Sequence, residues 1–112
     1  MVITPSTNKA YSGKIYLLVD EAVFSSSEAL AFFCKATNFA TVVGETTSGN
    51  GVGTDPLLIT LHHSGVVIRF TREMGLNLDG SANEKTKTEP DVLIKASNKI
   101  ERRNILLKQI EH

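Results

Sequence analysis

The sequence predicts an α/β domain built on parallel strands, and three observations carry the prediction. Lys14-Ile15-Tyr16-Leu17-Leu18-Val19-Asp20 is a nearly continuous apolar run, the pattern of a strand buried on both faces. A helical pattern begins after a short turn at Glu21–Ser25. A second apolar run, Phe39-Ala40-Thr41-Val42-Val43, follows the helix closely, so the three segments form a β-α-β unit with the strands parallel.

The elements follow in chain order. Residues 1–13 hold Pro5, Ser6, Asn8 and Gly13 and read as a loop. The core runs from 14 to 95. Its first helix spans about Ser26 to Thr37. Leu30, Phe33, Cys34 and Thr37 share one face, and Ala29, Ala31, Phe32 and Ala36 widen the apolar surface, so this helix should be largely buried. Gly44–Gly53 contains four glycines and allows backbone paths closed to other residues. Leu57–Leu61 and Val66–Phe70 read as strands of a hairpin, with His62-His63-Ser64-Gly65 as its turn. Residues 73–90 look polar and irregular. Asp91–Lys95 reads as a last short strand. Ser97 or Asn98 caps a terminal helix over 97–112, with Ile100, Leu106, Leu107 and Ile110 as its apolar stripe.

The totals narrow the function. The chain has 112 residues, enough for one domain, and 41% of them are hydrophobic. Lys+Arg and Asp+Glu number 12 each, and this neutral balance argues against nucleic acid or an anionic membrane as the main partner. No apolar run approaches the roughly 20 residues of a membrane span. No signal-peptide pattern is visible at Met1-Val2-Ile3-Thr4-Pro5, and the compartment stays open. The single cysteine, Cys34, excludes an internal disulfide framework and any multi-cysteine metal site. On its helical face it reads as a small core residue.

The chemistry centres on Ser25-Ser26-Ser27-Glu28, where the first strand hands over to the helix. One reading is structural: Ser-x-x-Glu before an apolar helix is a capping box, with Ser25 as cap and Glu28 three residues in. The other is catalytic. A turn at a helix N-terminus lifts a hydroxyl clear of the sheet and offers free N–H groups to a developing oxyanion. The residues alone leave both open.

Three stretches in order sharpen the choice: Val23-Phe24-Ser25-Ser26-Ser27-Glu28, then Val43-Gly44-Glu45-Thr46-Thr47-Ser48-Gly49, then Glu89-Pro90-Asp91-Val92. Together they resemble the C-terminal part of the catalytic lobe of the carboxyl-terminal processing (tail-specific) serine peptidases and their tricorn-type relatives. The likeness runs from about Gly13 to Val92. It implies a crotonase-like (Clp-protease-like) β-β-α core, part of a larger catalytic domain, and hydrolysis of peptide bonds with no cofactor and no metal. It implies Ser25 as the nucleophile, with the Ser26 N–H beside the oxyanion.

The resemblance also bears on how that serine is activated. The processing branch uses a lysine in a Gly-Lys-Gly loop, but here the same place reads Gly49-Asn50-Gly51, and Asn50 cannot accept a hydroxyl proton. The tricorn-type branch uses an upstream histidine and a glutamate five residues before the Glu/Asp-Pro motif. Counted from Glu89, that position is Glu84, which would orient and charge the imidazole. This chain has three histidines, His62 and His63 in the hairpin turn and His112 at the end, and none suits the base. The resemblance places that histidine, and a glycine-rich strand completing the oxyanion hole, in a missing N-terminal lobe of the same protein. The expected partners are therefore a polypeptide substrate and that lobe, with self-association of an uncovered fragment expected as well. The expected activity of the fragment alone is feeble or nil.

Other readings carry less. Glu84 beside Lys85 and Lys87 is otherwise a solvated loop acid. The glycine-rich loop lacks the Gly-Lys-Ser/Thr ending of a phosphate cradle. His62 and His63, adjacent in sequence, make a poor metal pair. Some relatives resemble retinoid-carrying proteins, so a non-catalytic carrier of an apolar ligand is the alternative function, and a purely structural unit the third. Relatives occur both outside and inside the cytoplasm.

Overall fold

The computed structural model describes residues 11–111. Most of the expected loop at 1–13, and His112, lie outside the described residues. The elements are β1 (Tyr16–Val19), α1 (Ser26–Thr37), β2 (Thr41–Gly44), β3 (Leu57–Thr60), β4 (Val67–Phe70), α2 (Asn83–Thr86), β5 (Val92–Leu93) and α3 (Lys99–Ile110). The order β1-β2-β5 makes a parallel sheet, with Leu17 opposite Val42 and Val43 opposite Val92. β3 and β4 form a separate antiparallel ribbon with Ile59 opposite Ile68.

Strand alternation divides the core into two layers. Val19 and Val42 face α1 and pack with Ala31, Cys34 and Ala40. Val43 points the other way and packs with Ile94 and with Leu106 of α3. The parallel sheet is thus covered by one helix on each face, as the apolar strands require. Asn98 caps α3, its side chain accepting from the Glu101 N–H at 2.9 Å. Asn38, in the left-handed conformation at φ 53°, ends α1.

Several expectations are corrected by the packing. β1 is not buried on both faces, since Leu18 is 49% exposed. α1 buries a narrower stripe than expected, Glu28, Ala31 and Cys34, while Leu30 and Phe33 are half-exposed. Among the described residues the sheet under α1 is three strands wide, so it reaches one side of the helix and leaves the other bare. In α3 the buried contacts come from Leu106 and Ile105, and Ile100 and Leu107 stay exposed. The cause is Arg102, which turns the helix so that its guanidinium reaches Asp20 and Glu45 at the C-terminal ends of β1 and β2 (2.8 and 2.7 Å). Residues 83–86, expected to be irregular, form the single turn α2.

Candidate active site at the β1–α1 turn

The turn is assembled from short-range bonds that the sequence supplies in order. Asp20 closes it twice: its carbonyl accepts from the Val23 N–H at 3.0 Å and its carboxylate from the Ala22 N–H at 2.9 Å. Ser27 then ties down Phe24, donating its hydroxyl to the Phe24 carbonyl at 2.7 Å and accepting from the Phe24 N–H at 3.2 Å. Between these anchors Ser25 takes φ 56° and ψ −123°. Such a backbone conformation costs a non-glycine residue about 1–3 kcal/mol and persists only where its surroundings enforce it.

The capping-box reading is overturned here. Ser25 precedes α1, but its side chain makes no cap bond. Glu28 does not reach back to the turn. Its side chain is fully buried, and one carboxylate oxygen, Oε1, accepts from the Asn83 Nδ2 at 3.1 Å and the Thr88 hydroxyl at 2.7 Å. The Ser25 side chain makes no bond to the helix end, and Ser27 does the local tethering instead.

Ser25 and Ser26 line a cleft of about 450 Å³, together with Phe24, Asn50, Arg69 and Phe70. Ser26 begins α1, where an N–H has no acceptor within the helix. The glycine-rich loop forms the facing wall and is fixed at several points. The Glu45 N–H donates to the Val19 carbonyl and the Ser48 N–H to the Val23 carbonyl, at 3.0 and 2.8 Å. Thr47 exchanges bonds with Thr88, accepting from its N–H at 2.9 Å and donating its own N–H to its carbonyl at 3.1 Å. Gly51 passes so close to α1 that a Cβ there would lie 2.4 Å from the Ala29 nitrogen. Its N–H donates to the Asn83 Oδ1 at 2.9 Å and is therefore not free for an oxyanion.

Glu84 lies in α2, one residue beyond Asn83, with an exposed side chain. Its backbone abuts the glycine-rich loop, its Cα 3.3 Å from where a Cβ on Gly49 would sit. The structure brings three of the expected residues into one cleft and leaves the fourth, Glu84, outside its lining. Ser25, Ser26 and Asn50 share the cleft, and Glu84 adjoins Gly49, next to Asn50. His62 and His63 lie in the exposed turn of the ribbon, their rings 5.6 Å apart. Cys34 is buried in the core, and burial raises its thiol pKa. Among the described residues no cluster of His, Cys, Asp or Glu could hold a metal, and no helix is long and apolar enough to cross a membrane.

Some residues that organise the site had no role assigned from the sequence. Ser27, Thr47 and Asp91 sit within the three quoted stretches; Ser27 bonds locally to Phe24, whereas the partners of Thr47 and Asp91 are distant in the chain. Asp91 is the clearest case. Its carboxylate takes the Val42 N–H at 2.9 Å and pairs with Lys35 of α1, so Glu-Pro-Asp joins β2, α1 and β5. Those bonds hold its pKa below the usual carboxylate value, the Lys35 hydrogen bond contributing most. Asn83 and Arg102 gave no local signal, because what they do depends wholly on tertiary neighbours.

The profile of peptidase family S41 matches residues 3–94, and this chain belongs to that family. The match ends before α3, so the Arg102 clamp lies beyond it. Among solved structures the chain is similar to mature CPAF complexed with lactacystin, with a TM-score of 0.76 and 21% identity. That similarity covers 96% of this chain and 21% of the other. It is also similar to a structure described as a candidate peptidase from Parabacteroides merdae, with a TM-score of 0.74 and 17% identity, covering 96% of this chain and 35% of that one. At these identities the likeness shows the fold, and the chain spans between about a fifth and a third of those structures. No curated protein matches the sequence at a significant level.

Proposed function

We propose that this chain carries the nucleophile of a serine-type endopeptidase of the tail-specific and tricorn-type kind, on a crotonase-like core. The observation that carries the reading is Ser25 itself: a non-glycine residue in a strained turn, not used as a helix cap, facing a cleft at the head of a helix. Its Oγ attacks the carbonyl carbon of a peptide bond. The hydroxyl proton passes to a histidine supplied by an upstream segment, and Glu84 holds that imidazole and balances its charge. The Ser26 N–H donates to the tetrahedral oxyanion. As the C–N bond breaks, the histidine returns the proton to the leaving amine, and water then releases the acyl-enzyme by the reverse exchange. Asn50 takes no part in proton transfer, because an amide nitrogen is not a base at neutral pH.

An N-terminal lobe of such a peptidase would have apolar surface to cover. Leu57, Ile59, Ile68 and Phe70 form one face of the ribbon, and Leu30 and Phe33 of α1 are half-exposed. Apolar surface of this extent invites cover, by the rest of the peptidase or by self-association of the chain alone. A fluorophosphonate probe on the full-length protein tests the function. Labelling that is lost in Ser25→Ala and weakened in Glu84→Gln supports it. An unlabelled, catalytically silent protein that takes up a fluorescent lipid saturably would replace it with the carrier reading.

A further inference from the structure

The buried Glu28 has no part in the chemistry just described, and it is the strangest residue in the core. It is fully buried on the first turn of α1, and among the described residues it faces no cation. A carboxylate in that state is a costly way to fill space. Both of its hydrogen bonds converge on Oε1, and Oε2 has no partner. Its worth therefore lies in what the two donors are. Thr88 leads into Glu89-Pro90 and is itself joined to Thr47 of the glycine-rich loop. Asn83 is bonded at both ends of its amide, Nδ2 to Glu28 and Oδ1 to the Gly51 N–H. Its backbone N–H donates to the Gly75 carbonyl at 3.1 Å and its carbonyl accepts from Lys87 at 2.7 Å. Asn83 therefore has little freedom to shift while Glu28 is in place, and the next residue is Glu84.

We propose that Glu28 is a positioning residue that sets the segment carrying Glu84 against the helix headed by Ser25, through Asn83 and Thr88. The inference rests on the reading of Ser25 and Glu84 as nucleophile and orienting acid. One carboxylate thereby bridges the Ser-x-Ser-Glu stretch to residues 83–88, more than fifty positions away. The serine and the acid come from separate segments, and a displacement of about 1 Å between such groups costs up to about a hundredfold in rate.

The test uses the full-length protein that carries this chain, with fluorescein-labelled casein as substrate and a fluorophosphonate as active-site probe. Glu28→Ala removes both bonds. It should lower kcat about tenfold to a hundredfold and leave KM within about threefold, because the cleft-lining side chains remain. Glu28→Gln keeps an amide oxygen that accepts from Asn83 and Thr88, and should restore kcat to within about threefold of the parent. Asn83→Ala should mimic Glu28→Ala, and the double variant should be no worse than either single one. These rates hold meaning even where Glu28→Ala folds poorly, because Thr88→Val breaks only the bond from Thr88 to Glu28, Asn83→Ala breaks only the two bonds of the Asn83 amide, and both leave Glu28 and α1 in place. Hydrogen exchange is read in parallel, and amides at 83–88 should exchange at least about tenfold faster in Glu28→Ala but not in Glu28→Gln. The proposal is overturned if Glu28→Gln is as damaging as Glu28→Ala, if the effects of Glu28→Ala and Asn83→Ala simply add, or if exchange at 83–88 is unchanged. A parent protein with neither labelling nor cleavage would sink the peptidase reading instead, while exchange still decides whether Glu28 holds the segment.

Discussion

The two halves of this chain treat their apolar residues in opposite ways. Around β1, β2 and the start of α1, Val19, Val42 and Val43 are buried and the loops are tied to one another by bonds between distant segments. In the β3–β4 ribbon, Leu58 and Val67 are 62% and 58% exposed, and no residue of either strand is buried. Both halves line the cleft, since Arg69 and Phe70 face Ser25 across it. One wall of the site is therefore preorganised by its own fold. The other carries a strand pattern whose burial has to come from elsewhere, because a two-stranded ribbon has little stability of its own.

Substitutions can sharpen this contrast, and the largest effect is expected on the rigid side. Gly44 sits at φ +134°, and a Cβ there would lie 1.9 Å from the Val19 carbonyl oxygen. Gly44→Ala should cost about 3 kcal/mol or more, read as a lower urea midpoint, because backbone must move on both strands. Next comes the clamp between α3 and the sheet. Arg102→Ala leaves Asp20 and Glu45 without their guanidinium partner and should cost about 1–3 kcal/mol. Its turn-side consequence should be faster hydrogen exchange at Ala22 and Val23, whose N–H groups bond to Asp20. Loss of the α3 cap in Asn98→Ala should cost about 1 kcal/mol.

These expectations show how much of the molecule its sequence made legible. The α1 boundaries and the parallel pairing of β1 with β2 follow from patterns within a dozen residues, where local periodicity decides. The hairpin likewise announces itself by Ser64-Gly65 between apolar runs. What stayed hidden was the direction of side chains. Glu28 at the third helical position has the spacing of a capping partner, and the buried donors of Asn83 and Thr88 draw it inward. Leu30 and Phe33 have the spacing of a core stripe, and only the narrowness of the sheet leaves them half-exposed. Ser25 was legible as a position in a turn, but its strained backbone was not, because φ and ψ there are imposed by Asp20 and Ser27 together.

The smaller effects lie where water competes. Asp91 binds Lys35 and the Val42 N–H, and its pKa in the folded chain is depressed below the ordinary 3.8. Its stabilising contribution is thus complete above that ordinary value and is lost as pH falls through the lowered one. Asp91→Asn should flatten the acid side of the stability–pH curve and leave its slope near neutrality unchanged. Smallest of all, Leu58→Ser on the ribbon should change the stability of this chain by no more than about 0.5 kcal/mol. The same substitution in the full-length protein should destabilise it measurably if the ribbon is covered there, and comparing the two contexts measures how far the second wall depends on its surroundings.

The central claim is that the Ser25 hydroxyl is the reacting group, and adduct mapping tests it most directly. Full-length protein treated with a fluorophosphonate is digested and its peptides weighed. The account predicts a single phosphonylated site, Ser25, absent after denaturation before treatment. An adduct on Ser26, Ser27 or a serine outside this turn, with Ser25 unmodified, would contradict it.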